Sequence, residues 1–168
     1  MQVRIALALC VVLCGALCGH SLALTYRRRA SALRELTEGL KVLKIHMTGM
    51  FEPIQDALRR SECPLLRSVS GRMRPGVSAS EAWKEVSKAH SRKDASTDVL
   101  AESDRAILDR LFEHLGESGR AEQNLLLEGT VQTLEAQLEK AARSAAEADR
   151  LYLKLGVLIG LMLALIVV

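Results

Sequence analysis

Two apolar runs, Ile5 to Leu24 and Leu155 to Val168, contain none of the chain's 23 basic and 20 acidic side chains, which apart from Arg4 all lie between them. A soluble monomer does not tolerate exposed apolar patches of that size. The pattern therefore predicts a membrane-attached protein with a small, densely charged soluble part, and argues against a soluble cytosolic enzyme. The length of 168 residues is close to one domain's worth. A net charge of +3 is too weak to imply nucleic acid, and blocks of five or more like charges are absent.

As a helix, Ile5 to Leu24 would span about 30 Å, the thickness of a hydrocarbon core. A cleaved signal peptide is the competing reading, because Ser21, Leu22 and Ala23 put small residues where a signal peptidase cuts. The run is longer than the core of such a peptide, however, and only Arg4 precedes it. Leu155 to Val168 reaches about 21 Å. Adding Leu151, Tyr152 and Leu153 extends it to a crossing, with Lys154 snorkelling to the interface. Arg27, Arg28, Arg29 and Arg34 follow the first run, and Lys140, Arg143, Arg150 and Lys154 precede the second. By the positive-inside rule both flanks place the middle in the cytoplasm. The expected organisation is a transmembrane helix over 1–26, a cytoplasmic domain over 27–150 and a membrane anchor over 151–168.

Cys10, Cys14 and Cys18 fall on one helical stripe of the first run. Three thiols do not complete a zinc tetrahedron, so they read as small residues at a helix contact. Gly15 and Gly19 beside them, and Gly156, Gly160 and Ala164 in the second run, repeat a small residue every fourth position, a face suited to close helix packing in the membrane. Cys63 stands alone in the middle, where a cytoplasmic thiol stays reduced and no disulfide is expected.

Between the runs the pattern is all-α. Leu33, Leu36, Leu40, Leu43 and Met47 form the inward stripe of a helix from Arg28 to Met47, ended by Gly49. Pro53 and Pro64 suit the first turns of two short helices, one carrying Ile54, Ala57 and Leu58, the other Leu66, Val69 and Met73. Arg74, Pro75 and Gly76 signal a turn. Ser78 and Glu81 form a capping box for a helix with Ala82, Trp83, Val86 and Ala89 inward. The polar stretch His90 to Thr97 reads as a loop. Ile107, Leu108, Leu111 and Leu115 are the inward face of a helix over 103–115 that stops at Gly116.

From Arg120 the pattern does not break. Leu127, Val131, Leu134, Leu138, Ala141, Ala145, Ala148, Tyr152 and Leu155 alternate spacings of four and three, a heptad seam. A helix from Arg120 to Leu155 would be about 54 Å long before running on into the second apolar run. Its partner is either the Arg28 to Met47 helix or a second copy of the chain.

Motifs of chemistry are missing. The sequence holds no phosphate-binding glycine loop, no HExxH, no CxxC pair and no nucleophile elbow. His20, His46, His90 and His114 have no metal spacing, and Asp104, Asp109 and Glu113 read as a solvated helix face. No catalytic residue, cofactor or metal is expected.

One segment is more specific. Leu115-Gly116-Glu117-Ser118-Gly119-Arg120-Ala121-Glu122-Gln123 is preceded by Asp104-Arg105-Ala106-Ile107-Leu108 and followed by a long helix ending in Leu155-Gly156-Val157-Leu158-Ile159-Gly160-Leu161. This arrangement resembles the stage III sporulation protein AB family. That family has a first span, a stripe like Leu33 to Met47, a Leu-Gly-x-Ser-Asp-Arg-x-x-Gln box and a final anchor. Gly119 stands where the box has Asp, and the stretch from Gly49 to Ile54 is one residue longer than the family's loop.

The resemblance implies a structural component of the channel complex between mother cell and forespore, required for endospore formation. The family's soluble module is similar to the cytoplasmic domains of type II secretion and type IV pilus platform proteins, which sit between a cytoplasmic ATPase and a membrane channel. The implied partners are the stage III sporulation protein AA, a secretion-type ATPase, and other membrane proteins of the same operon. The implied location is the mother-cell side of the forespore membrane. A generic membrane-anchored coiled-coil scaffold unrelated to sporulation is the alternative.

Within the box, Ser118 is placed to cap the long helix, and Glu122 puts negative charge in its first turn. The functional reading takes Glu117, Ser118, Arg120 and Gln123 as docking contacts at an exposed corner between two helices, for the ATPase or a neighbouring copy.

Overall fold

The computed structural model describes residues 24–90 and 99–167. The described residues form helices and no strands. Helix α1 covers 24–44 and continues as a π-type turn, Ile45–Gly49. It is followed by α2 (Ile54–Arg60), α3 (Pro64–Arg72), α4 (Ala79–His90), α5 (Glu102–His114) and α6 (Arg120–Val167). The chain divides into two compact units, residues 31–139 and residues 1–30 with 140–168.

The first unit is built around the two long stripes. Leu33, Leu36, Leu40 and Leu43 of α1 and Leu127, Val131 and Leu134 of α6 are all buried. Each such side chain removed from water stabilises the fold by about 1.5–3 kcal/mol before conformational entropy is counted. Lys41 Nζ lies 3.0 Å from Glu135 Oε1, and Lys44 Nζ 3.2 Å from Glu128 Oε2. As the residue number rises along α1 it falls along α6, so the two helices pair antiparallel. In this unit the α6 seam is thus served by the chain's own α1. Met47, expected on the stripe, is only half-buried. The π turn widens the helix there and carries the 3,4 spacing out of register.

The remaining helices pack in chain order, α2 on α3, α3 on α4 and α4 on α5. Pro64 occupies the first turn of α3, as its missing N–H and fixed φ favour. Gln55 and Ser70 fasten α2 to α3: Ser70 Oγ donates to the Gln55 carbonyl at 2.9 Å, and Gln55 Nε2 donates to the Met73 carbonyl at 3.0 Å. Arg74 to Val77 closes a turn, its Val77 N–H on the Arg74 carbonyl at 2.9 Å and Gly76 at φ +89°. The capping box forms as expected: Glu81 N–H donates to Ser78 Oγ at 3.2 Å, and Ser78 N–H donates to Glu81 Oε2 at 3.1 Å. Trp83 stacks on Phe112 with centroids 4.9 Å apart, joining α4 to α5, and its indole N–H donates to Asp109 Oδ1 at 2.6 Å.

Further expectations are corrected. Ala89 is exposed in the last turn of α4, while Ala79 is buried in the first. Ile107 and Leu138 are half-buried at the margins of their stripes. Asp104 is fully buried rather than solvated, because its carboxylate accepts the Ala101 N–H at 2.9 Å and so caps α5. Of the expected loop His90 to Thr97, His90 ends α4 and the rest lies outside the described residues.

In the second unit Ala141, Ala145 and Ala148 are buried, continuing the seam with small side chains, and the helix backbone runs unbroken to Val167. Among the described residues no helix is long and apolar enough to cross a membrane. All of the first apolar run but Leu24, with Cys10, Cys14, Cys18, Gly15 and Gly19, lies outside the described residues. Gly156, Gly160 and Ala164 fall on the backbone of α6, about one turn apart.

Candidate functional site

The corner between α5 and α6 carries the box. Leu115 is buried at the end of α5, and Gly116 follows at φ +93°, where any other residue would be strained. A Cβ there would also stand 2.5 Å from Ile54 Cδ1, so the glycine lets α2 close on the corner. Gln123 N–H donates to the Gly119 carbonyl at 2.9 Å, which puts Gly119, not Ser118, at the N-cap of α6. Glu122 sits in the first turn of α6.

The four residues expected to dock a partner are not all exposed. Gln123 is buried, a correction to its expected place on an exposed corner. Its Nε2 donates to the His114 carbonyl at 3.0 Å and to Ser118 Oγ at 2.9 Å, bracing the end of α5 against the start of α6. Both amide protons are used, and Gln123 Oε1 is buried without a hydrogen-bond partner among the described residues. Ser118 thus supports Gln123 and does not cap the helix. Glu117 faces solvent, with its Oε2 3.5 Å from His114 Nδ1.

Arg120 differs from these. It is exposed, and its guanidinium carbon lies 3.7 Å from the centroid of the Phe51 ring, a cation–π contact. Phe51 has φ +58°, the left-handed region that a bulky residue seldom adopts. Glu52 N–H donates to the His46 carbonyl at 3.1 Å, and Glu52 Oε2 lies 3.1 Å from His46 Nδ1 and 3.2 Å from Arg60 Nε, holding the bend from both sides. Ile45, Met50 and Phe51 are each more than half exposed. Sequence reasoning did not single out Phe51. The available signal was a Met-Phe pair between the stop at Gly49 and Pro53, where a loop would ordinarily be polar.

Among the described residues no group of three His, Cys, Asp or Glu side chains is placed to hold a metal ion. A family model, described as stage III sporulation protein AB, matches residues 4–168. The chain belongs to the stage III sporulation protein AB family. No curated protein and no solved structure gives a match. Membership implies a role in stage III of sporulation. In this member of the family, Gly119 has nothing within 4 Å of where a Cβ would stand and is not left-handed. An Asp at this position would meet no clash and would offer the capping side chain that Gly119 lacks.

Proposed function

We propose that this member of the family is a membrane-anchored structural component of the channel complex between mother cell and forespore, acting as a platform between a cytoplasmic ATPase and the channel. The observation that carries the reading is α6, one helix from Arg120 to Val167 that joins a buried seam to the charge-free run Leu155 to Val168. Paired with an apolar first run and arginines on its inner flank, this supports transmembrane helices at both ends and a cytoplasmic domain between them. The soluble helices would then hold partners at a fixed place under the membrane and carry out no catalysis themselves. The partners on this reading are the stage III sporulation protein AA and other membrane proteins of the same operon.

Co-purification of the full chain from sporulating cells tests the partner. The ATPase should accompany it, and its absence under crosslinking would remove the platform role. Topology is tested separately by Arg74→Cys, in a chain whose four native cysteines are replaced. Arg74 lies in an exposed turn, so ready labelling by an impermeant maleimide in intact cells would place the domain on the wrong side.

A further inference from the structure

Three cations of α1 and α2 are held in ion pairs. Lys41 is paired with Glu38 and Glu135, Lys44 with Glu128, and Arg60 with Glu52. Arg120 has no carboxylate within ion-pair distance among the described residues and instead sets its guanidinium over an aromatic ring. Stacking occupies the face of a guanidinium and leaves its in-plane N–H donors free, in a fork whose spacing matches the two oxygens of a carboxylate.

The ring beneath it is held there at a cost. Phe51 adopts a left-handed backbone that glycine would take without strain, and burial does not compensate, since the side chain is 59% exposed. Met50 and Ile45 are further exposed apolar residues of the same bend, their backbones joined through the Met50 N–H on the Ile45 carbonyl at 3.2 Å. Ile45 also borders a groove of 360 Å³ between α1 and α6, lined by Lys41, Lys44, Glu128, Val131 and Gln132.

We propose that Arg120 and Phe51, with Met50 and Ile45, form the docking face for a segment of a partner protein that presents a carboxylate beside apolar side chains. The free fork takes the carboxylate, and the ring and its neighbours take the apolar flank. An anionic membrane surface is the less favoured occupant, because such surfaces are held by clusters of basic residues contributing about 1 kcal/mol each, whereas this face sets a single arginine, Arg120, among the apolar side chains of Phe51, Met50 and Ile45. The face deepens the platform reading by giving its partner a chemistry, and it can fail while that reading stands.

The probe is a fluorescein-labelled amphipathic helical peptide with Glu on one face and Leu on the other, titrated onto the full chain in neutral detergent. Its counterparts carry Gln or Lys in place of Glu. The acidic peptide should bind at least tenfold more tightly than the Gln peptide. Arg120→Glu should reverse the preference in favour of the Lys peptide. Phe51→Gly suits the φ of the site, so it should keep the melting temperature while weakening the acidic peptide at least fivefold. If Arg120→Glu unfolds, Arg120→Gln should show the same loss of binding without reversal.

Four results would overturn the proposal. The acidic peptide could bind the Arg120 variants as it binds the original chain, or the Gln peptide could bind equally well. Alternatively, the chain could self-associate through a contact that Arg120→Glu abolishes, giving the face to a second copy. Vesicles of anionic lipid competing away the peptide, where neutral vesicles do not, would give it to the membrane. Loss of ATPase co-purification with peptide binding intact would count against the platform alone.

Discussion

Gly39 lies where α1 passes Cys63, and a Cβ on it would come within 2.5 Å of Cys63 Cβ and 3.2 Å of Leu66 Cδ1. The first atom is fixed to the backbone at the N-cap of α3 and cannot swing aside. At an exposed helical position alanine would be favoured over glycine by about 1 kcal/mol. Here overpacking of about 1–3 kcal/mol opposes that, so Gly39→Ala should lower stability in urea unfolding. Cys63 gives a pH signature. Burial pushes its thiol pKa above the ordinary 9.0, partly offset by the backbone N–H groups of Leu66 and Leu65. The folded state thus favours the protonated thiol. Its contribution is full below pH 9.0 and is lost as pH rises through the folded value. Lys41 is also raised, by its bonds to Glu135 and Glu38, and its contribution fades only above 10.5. Between those values stability should fall with pH in the original chain and flatten in Cys63→Ala, as followed by urea midpoints.

At the scale of the element, helix ends are the places where short-range sequence rules worked and failed most visibly. The Ser78 and Glu81 box is local, its two bonds spanning three residues, and it forms as the spacing requires. Ser78→Ala should cost about 1 kcal/mol of stability, measured by chemical unfolding. The start of α6 could not be read the same way. Ser118 looked like a cap, but the residue before the helix is Gly119, and the serine hydroxyl is engaged by Gln123 from within α6. Gly119→Asp should therefore supply the missing cap and a favourable charge at the helix N-terminus, raising stability by about 0.5 kcal/mol. A loss of stability in the same unfolding measurement would mean that the N-cap has been misassigned. The π turn was equally hidden, since no spacing rule distinguishes Ile45–Gly49 from another α turn, and Met47 left the stripe because of it.

For the whole molecule, the all-helical class and most of the core were legible because the stripes are long. Leu33 to Leu43 and Leu127 to Leu134 keep 3,4 spacing over several turns, and those leucines are the buried ones. The seam's partner in residues 31–139 was not legible, since apolar spacing is the same whether a helix meets its own chain or a copy. The ion pairs of Lys41 and Lys44 answer it. The box was legible as a place, but its roles were not, because Gln123 turns back across the corner to His114 and Ser118, and Arg120 meets Phe51, which is far away in sequence.

The pairing of Trp83 with Phe112 also has an optical consequence. The chain has one tryptophan, and it sits 2% exposed between α4 and α5 with its indole N–H on Asp109. Light emitted from the indole therefore comes from a single known location in residues 31–139. A shift of that emission to longer wavelength reports water reaching the contact between α4 and α5, with no dye attached and no residue replaced. The same chain can thus be watched in detergent, in vesicles or against a partner, and the colour of one side chain tells whether this unit has stayed closed.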